Sequence, residues 1–227
     1  MQWPTEAALM TLPNAILFPD AMLPLYIFEP RYRKMLGDAL DANRMFCVGM
    51  RKPHRQRETP CSVAGLGLIR ASVSRPDGTS HLFLQGLARV ELAEAVRYKP
   101  YRVHRIRVLD TTGADGAVVS ALTAQVIELV GQRLEQGRGF PPPVPLKLDD
   151  AAGAACAASS PILKIAGQLA KLENPDRLAD LVSYTLLSRP IERQVILETP
   201  NLEQRLKHLV RFLMAEVQRN EEHTQNE

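Results

Sequence analysis

The chain has 227 residues, 45% of them hydrophobic and 23% charged, with a formal charge of only +3, an ordinary globular composition that makes nucleic acid a weak expectation. Its three cysteines, Cys47, Cys61 and Cys156, are too far apart for a disulfide framework or a C-x-x-C metal site and are expected to be buried reduced thiols. No stretch approaches the ~20 apolar residues of a membrane helix, and no secretory signal opens the chain, so a soluble cytoplasmic protein of one large or two small domains is expected.

In chain order, Leu12 to Tyr32 interleaves prolines with short apolar runs. Ile16–Phe18 and Leu23–Phe28 read as edge strands, because proline cannot donate to a sheet ladder. Pro30 suits the first position of a helix, where its missing N–H costs nothing, and Tyr32, Met35, Leu36 and Leu40 follow at helical spacing until Asp41-Ala42-Asn43. Met45–Met50 returns to strand character and leads into a polar, basic loop over 51–58. Arg75-Pro76-Asp77-Gly78, between two alternating runs, predicts a β-hairpin over about Gly65–Leu87: Pro fixes φ and Gly supplies the positive φ of the turn. Gly86–Leu92 and Tyr101–Val108 add two strands, and six or so short strands with one inserted helix suggest a small closed or nearly closed barrel.

After Asp110 the period becomes helical. Val118, Leu122, Val126, Leu129, Val130 and Leu134 share one face, with Gly137 and Gly139 as a stop. The Pro-rich and then Ala/Gly-rich stretch 140–160 reads as an extended connector. Three or four helices follow from Pro161. One is capped by Asn174 before Pro175, with Leu178, Leu181, Val182 and Thr185 on one face; one starts at Pro190 with Ile191, Val195 and Ile196 inward. The last is capped by Asn201 with Gln204 at the third position and a stripe of Leu202, Leu206, Leu209, Leu213 and Val217. The tail 219–227 should fray. The fold class expected is α+β, with a β-rich domain over 1–112 and an α-helical one over 113–227.

Four segments together resemble a family. The proline-punctuated run into Phe28-Glu29-Pro30-Arg31-Tyr32, the strand Gly86-Leu87-Ala88-Arg89-Val90, the helix Leu178-Ala179-Asp180-Leu181-Val182, and Glu192–Glu198 followed by Arg205-Leu206 are similar, in order, to the N-terminal domain of Lon proteases. The resemblance spans about Leu12 to Val217. It implies a PUA-like β-barrel with an inserted helix, followed by a helical bundle, that recruits protein substrates in proteolysis or quality control and has no chemistry of its own. No G-x-x-x-x-G-K-[ST] phosphate loop occurs, so a freestanding, non-catalytic domain without ATPase or peptidase parts is expected.

Residue types and spacings also bound the candidate sites. Glu29 and Arg31 flank Pro30 and read as a structural polar pair at the barrel–helix junction. His54, His81, His104, His208 and His223 lack any H-x-x-x-H spacing, and no G-x-S-x-G elbow is present, so neither a metal, a cofactor nor a catalytic residue is expected. Cys47, within an apolar strand, should be a small buried hydrophobe. The candidate protein-binding residues are Leu23, Leu25, Tyr26 and Phe28, near a barrel edge where an extended polypeptide could add as a strand; about two-thirds of this apolar segment is expected in the core. The alternative is an RNA-binding module using basic tracts 51–57 and 97–107, with Arg51, Arg55, Arg102 and Arg105 as its contacts and Tyr98 and Tyr101 interleaved.

Overall fold

The computed structural model describes residues 3–55, 58–114, 116–135 and 174–225. The expected connector 140–160, the Gly137/Gly139 stop and Cys156 lie outside the described residues. The chain divides into two compact units, Met1–Asp110 and Thr111–Glu227.

The first unit contains β1 (Glu6–Leu12), β2 (Met22–Ile27), α1 (Pro30–Asp41), β3 (Met45–Met50), β4 (Val63–Ser74), β5 (Ser80–Arg97) and β6 (Arg102–Leu109). The six strands form one mixed sheet in the order β2-β5-β4-β3-β1-β6, and β6 pairs again with β5. All pairings are antiparallel except β1–β3. The pairings therefore run β5–β4–β3–β1–β6 and return to β5, while β2 lies outside that circuit. The length of β5 permits this: residues 80–85 pair with β2 and residues 89–97 with β6. The residue pattern suggests two strands that meet at Gly86, whereas the structure has one continuous strand there. Register shifts on both sides of Gly86 bend and twist the ladder so that the strand can serve two partners.

The hairpin turn forms as expected. The Gly78 amide donates to the Arg75 carbonyl at 2.9 Å, the glycine φ is 78°, and Asp77 accepts from the Thr79 amide at 2.9 Å. Pro30 opens α1, whose buried face is Tyr32, Met35, Leu36 and Ala39.

The N-terminal strands differ from expectation. Glu6–Leu12, which carries no legible alternation, is a strand with partners on both sides, β3 and β6. Ile16–Phe18 is not a strand, although all three side chains are buried. It is an irregular segment laid over the sheet where glycine makes room. A Cβ on Gly65 would overlap the Leu17 carbonyl oxygen, and one on Gly86 would overlap that of Phe18. The segment leaves through hydrogen bonds at Gly86, which accepts from Asp20 at 3.0 Å and donates to Ala21 at 2.9 Å. A core cluster of Ala7, Leu9, Cys47, Ala64, Leu66 and Val90 fills the sheet interior. Burial there pushes the Cys47 thiol up to about 12, so it is a buried hydrophobe and not a nucleophile.

The second unit contains α2 (Ala117–Glu135), α3 (Pro175–Leu186), α4 (Pro190–Leu197) and α5 (Leu202–Gln225), and α5 packs against each of the other three. Asn174 caps α3, its side chain accepting from the Asp176 and Arg177 amides, and Asn201 caps α5 by accepting from the Gln204 amide at 3.0 Å. Two facings differ from expectation. The buried stripe of α2 begins at Val119 and includes Val126 and Val130, with Val118 exposed. In α4, Ile191 is exposed while Glu192, Arg193 and Gln194 are buried with Ile196 and Leu197. A buried polar network drives this. The Arg193 Nε donates to the Leu187 carbonyl at 2.7 Å, and the Arg219 side chain reaches Glu192 at 3.5 Å and Glu216 at 2.9 Å.

No described helix is long and apolar enough to cross a membrane. The fold is α+β: a six-stranded mixed sheet and, among the described residues, five helices.

Candidate protein-binding surface

The outer face of β2 and its edge away from β5 form the first candidate surface. Residues of a strand alternate between faces. Leu23 and Leu25 accordingly point into the core, at 0% and 8% exposure, while Tyr26 and Phe28 are 39% and 58% exposed. Of the four expected contacts, Leu23 and Leu25 are therefore core residues, and Tyr26 and Phe28 are the exposed ones.

Register then brings others to them. Tyr26 lies opposite His81, which lies opposite Val73; Pro24 lies opposite Phe83, which lies opposite Ala71. Phe83 and Val73 are 52% and 66% exposed. The Tyr26 ring stacks on Phe28 at 5.7 Å and on His81 at 4.8 Å between centroids. The result is an apolar, partly aromatic surface across three strands. It borders a strand that, among the described residues, pairs with β5 alone. Phe83 and Val73 carry no signal in the sequence, since only cross-strand register places them opposite Pro24 and His81.

The second feature is the junction of β1, α1 and the start of β6. Arg31 donates from Nε to Glu29 at 2.9 Å and from Nη1 to Glu58 at 2.7 Å, so the expected pair exists and Glu58 completes it. Burial alone would lower the Arg31 pKa; the hydrogen bonds to Glu58 and Glu29 outweigh it and raise the guanidinium above its ordinary value. Tyr32 lies beneath the Arg31 guanidinium at 4.4 Å, and its hydroxyl accepts from the Thr11 amide at 3.2 Å and donates to Glu58 at 3.3 Å. Beside these groups opens a cavity of about 290 Å³ whose wall includes Arg31, Tyr32, Glu58, Tyr98, Lys99 and Arg102. The role of Glu58 is not legible in the sequence, because it sits 27 residues from Arg31 in a loop.

The basic tracts are dispersed. Arg102 donates to the Glu58 carbonyl and lies over the Tyr98 ring at 5.6 Å. Arg105, three residues on and so on the other face of β6, is held by Glu94 at 2.8 Å and Glu6 at 3.7 Å. Arg107 pairs with Glu91 at 2.5 Å. Arg51 donates to the Arg55 carbonyl at 3.2 Å within its own loop. The structure does not bring Arg102 and Arg105 to one surface. No cluster of potential metal ligands occurs among the described residues.

Known proteins supply the remaining context. The family model for the ATP-dependent protease La (LON) substrate-binding domain matches residues 6–215. The Lon protease of Dictyoglomus thermophilum is 22% identical over 218 residues, covering 95% of this chain and 25% of that protein. The Lon protease of Phenylobacterium zucineum is 29% identical over 215 residues, covering 92% and 24%. The chain thus spans about a quarter of the length of the curated relatives it matches. Two solved structures share the fold. The N-terminal domain of a Mycobacterium avium complex Lon protease superposes with a TM-score of 0.69 at 15% identity, covering 92% of this chain and 98% of that one. A Lon N-terminal domain protein from Xanthomonas campestris does so at 0.59 and 17% identity, covering 92% and 99%. With a match that runs through both units, the chain belongs to the family of Lon substrate-binding domains.

Proposed function

We propose that this chain is a non-catalytic polypeptide-binding module that takes extended, apolar segments of protein substrates on the β2 edge and the adjoining face of β2, β5 and β4, and so recruits substrates for proteolysis or quality control. The observation that carries the reading is the exposed set Tyr26, Phe28, Phe83 and Val73 on and next to a strand that, among the described residues, pairs on one side only. A contiguous exposed apolar surface is the ordinary mark of an interaction site, and an unpaired edge offers main-chain hydrogen bonds to an added strand. Aromatic side chains add much contact area for little lost conformational freedom. The family's description as substrate-binding domains agrees.

The test is fluorescence anisotropy of a labelled, reduced and carboxymethylated test protein against the chain. Saturable binding is expected, weakened roughly tenfold or more by Tyr26→Ser with Phe83→Ser, since loss of aromatic anchors costs upwards of about 2 kcal/mol. No binding, or binding indifferent to both substitutions, refutes the proposal. ATPase and peptidase assays on the same preparation are expected to be blank.

A further inference from the structure

The cavity beside α1 has a charge arrangement that docking on the sheet face does not use. Its wall holds three cations, Arg31, Lys99 and Arg102, and one carboxylate, Glu58. Both oxygens of that carboxylate are occupied: Oε2 by Arg31 and Oε1 by the Tyr32 hydroxyl. Arg31 pairs with both Glu58 and Glu29, a trio that carries one net negative charge. Arg102 and Lys99 outweigh it and give the cavity region a net positive charge. Arg102 spends one Nη2 bond on a backbone carbonyl, which carries no formal charge, and neither residue has a carboxylate within ion-pair reach among the described residues.

The cavity's size and walls narrow the ligand further. At about 290 Å³ it lies at the lower limit for small-molecule sites, enough for one residue and too small for a dinucleotide cofactor. Tyr98 and Tyr32 supply aromatic wall, and the planar Arg102 guanidinium lies over the Tyr98 ring at 5.6 Å. Such a fork matches a carboxylate in two parallel hydrogen bonds.

We propose that this cavity binds a carboxylate carried next to an apolar or aromatic side chain of a polypeptide, with Arg102 and Lys99 as its cationic contacts. The claim rests on the polypeptide-binding reading for the source of the carboxylate, though not for its chemistry. Either the chain-terminal α-carboxylate or a Glu side chain could present that group, and the two are separated by the peptides used.

The experiment is isothermal titration with four probes: N-acetyl-phenylalanine, a hexapeptide ending in a free Phe acid, its C-terminal amide, and the amide with Glu before Phe. Each is titrated into the unaltered chain, K99Q, R102Q and, as a control on the sheet face, Y26S. The free-acid peptide is expected to bind roughly tenfold more tightly than the plain amide, the difference made by a charge-assisted hydrogen-bonded pair. That margin should shrink in K99Q and R102Q, persist in Y26S, and fall with added salt. Lys99 makes no bond on which the fold depends among the described residues, so K99Q reads the site even if R102Q disturbs the Glu58 loop. Recovery of the margin by the Glu-containing amide assigns the side-chain source; no recovery assigns the chain terminus. Equal affinity of acid and plain amide, or an unchanged margin in K99Q, would overturn the proposal. Binding of N-acetyl-phenylalanine with no peptide binding at all refutes the polypeptide source while leaving the sheet-face proposal to its own test.

Discussion

Arg205 of α5 donates from Nη1 to the Asp180 carboxylate of α3 at 3.4 Å, and its side chain has no exposed surface. The same guanidinium binds Asp176, the Thr199 carbonyl at 2.9 Å and the Pro200 carbonyl at 3.0 Å, so one buried cation joins α3 to the turn before α5. Replacing Arg205 by Met takes a buried cation away from the buried Asp180 carboxylate. That is expected to cost about 3–5 kcal/mol, more than the net worth of the pair, because removing one partner leaves the desolvation cost of the other charge less well offset. Urea titration followed by circular dichroism should show the lower midpoint; adding Asp180→Asn to Arg205→Met should restore part of it.

Gly65 and Gly86 allow the segment 15–18 to lie on the sheet. Gly65→Ala or Gly86→Ala should destabilise the first unit by at least about 1–3 kcal/mol, since backbone atoms of Leu17 and Phe18 would have to move. Gly37, exposed in α1 with no atom within 4 Å of the place a methyl group would take, is the control. Gly37→Ala should stabilise by up to about 1 kcal/mol, the ordinary helix-propensity difference. Thermal melts that show all three variants alike would contradict this account of the N-terminal segment.

Tyr32 links stability to alkaline pH. Burial pushes its phenol up from 10.0 to about 12, against the hydrogen bond from Thr11, which favours the ionised form. The folded state therefore holds the proton more tightly than the unfolded one. Its contribution is complete below pH 10 and is lost as the pH rises through about 12. Tyr32→Phe should lower stability at neutral pH by about 1 kcal/mol, through the lost hydrogen bonds, and flatten the alkaline limb of a melting-temperature profile.

Glu216 acts at the other end of the scale. Burial pushes its carboxyl up, but hydrogen bonds from the Ser188 hydroxyl and amide, with Arg219 and Arg133, outweigh this and hold it below the usual carboxylate range. A depressed folded value means stability that is present above the ordinary carboxylate pKa and lost as the pH falls through the folded one. Glu192, in the same network, is raised chiefly by burial and opposes that trend. Glu216→Gln should therefore reduce stability at neutral pH and make the acid limb shallower, as read from denaturation midpoints across the acidic range.

Several features are legible in the sequence because the chemistry that produces them is local. Asn174 and Asn201 satisfy amides two or three residues away, Pro30, Pro175 and Pro190 fit helix starts through their own φ, and Pro76-Asp77-Gly78 closes its hairpin within five residues. The N-terminal apolar segment shows where this stops. Ile16–Phe18 and Leu23–Ile27 have similar composition, yet only the second is a strand, because the path of the first depends on Gly65 and Gly86, which are distant in the chain and meet Leu17 and Phe18 only in the folded sheet.

The same division runs through the candidate surfaces. Residue order and type were enough for the family, the α+β class, the helix caps and the Glu29–Arg31 pair, all of which follow from neighbours along the chain. Burial of Leu23 and Leu25, the gathering of Phe83 and Val73 around Tyr26, and the closure of Glu58 onto Arg31 depend on strand register and on contacts between distant segments. Such contacts leave no periodic trace, because each partner is chosen by the shape of a surface that exists only once the sheet has formed.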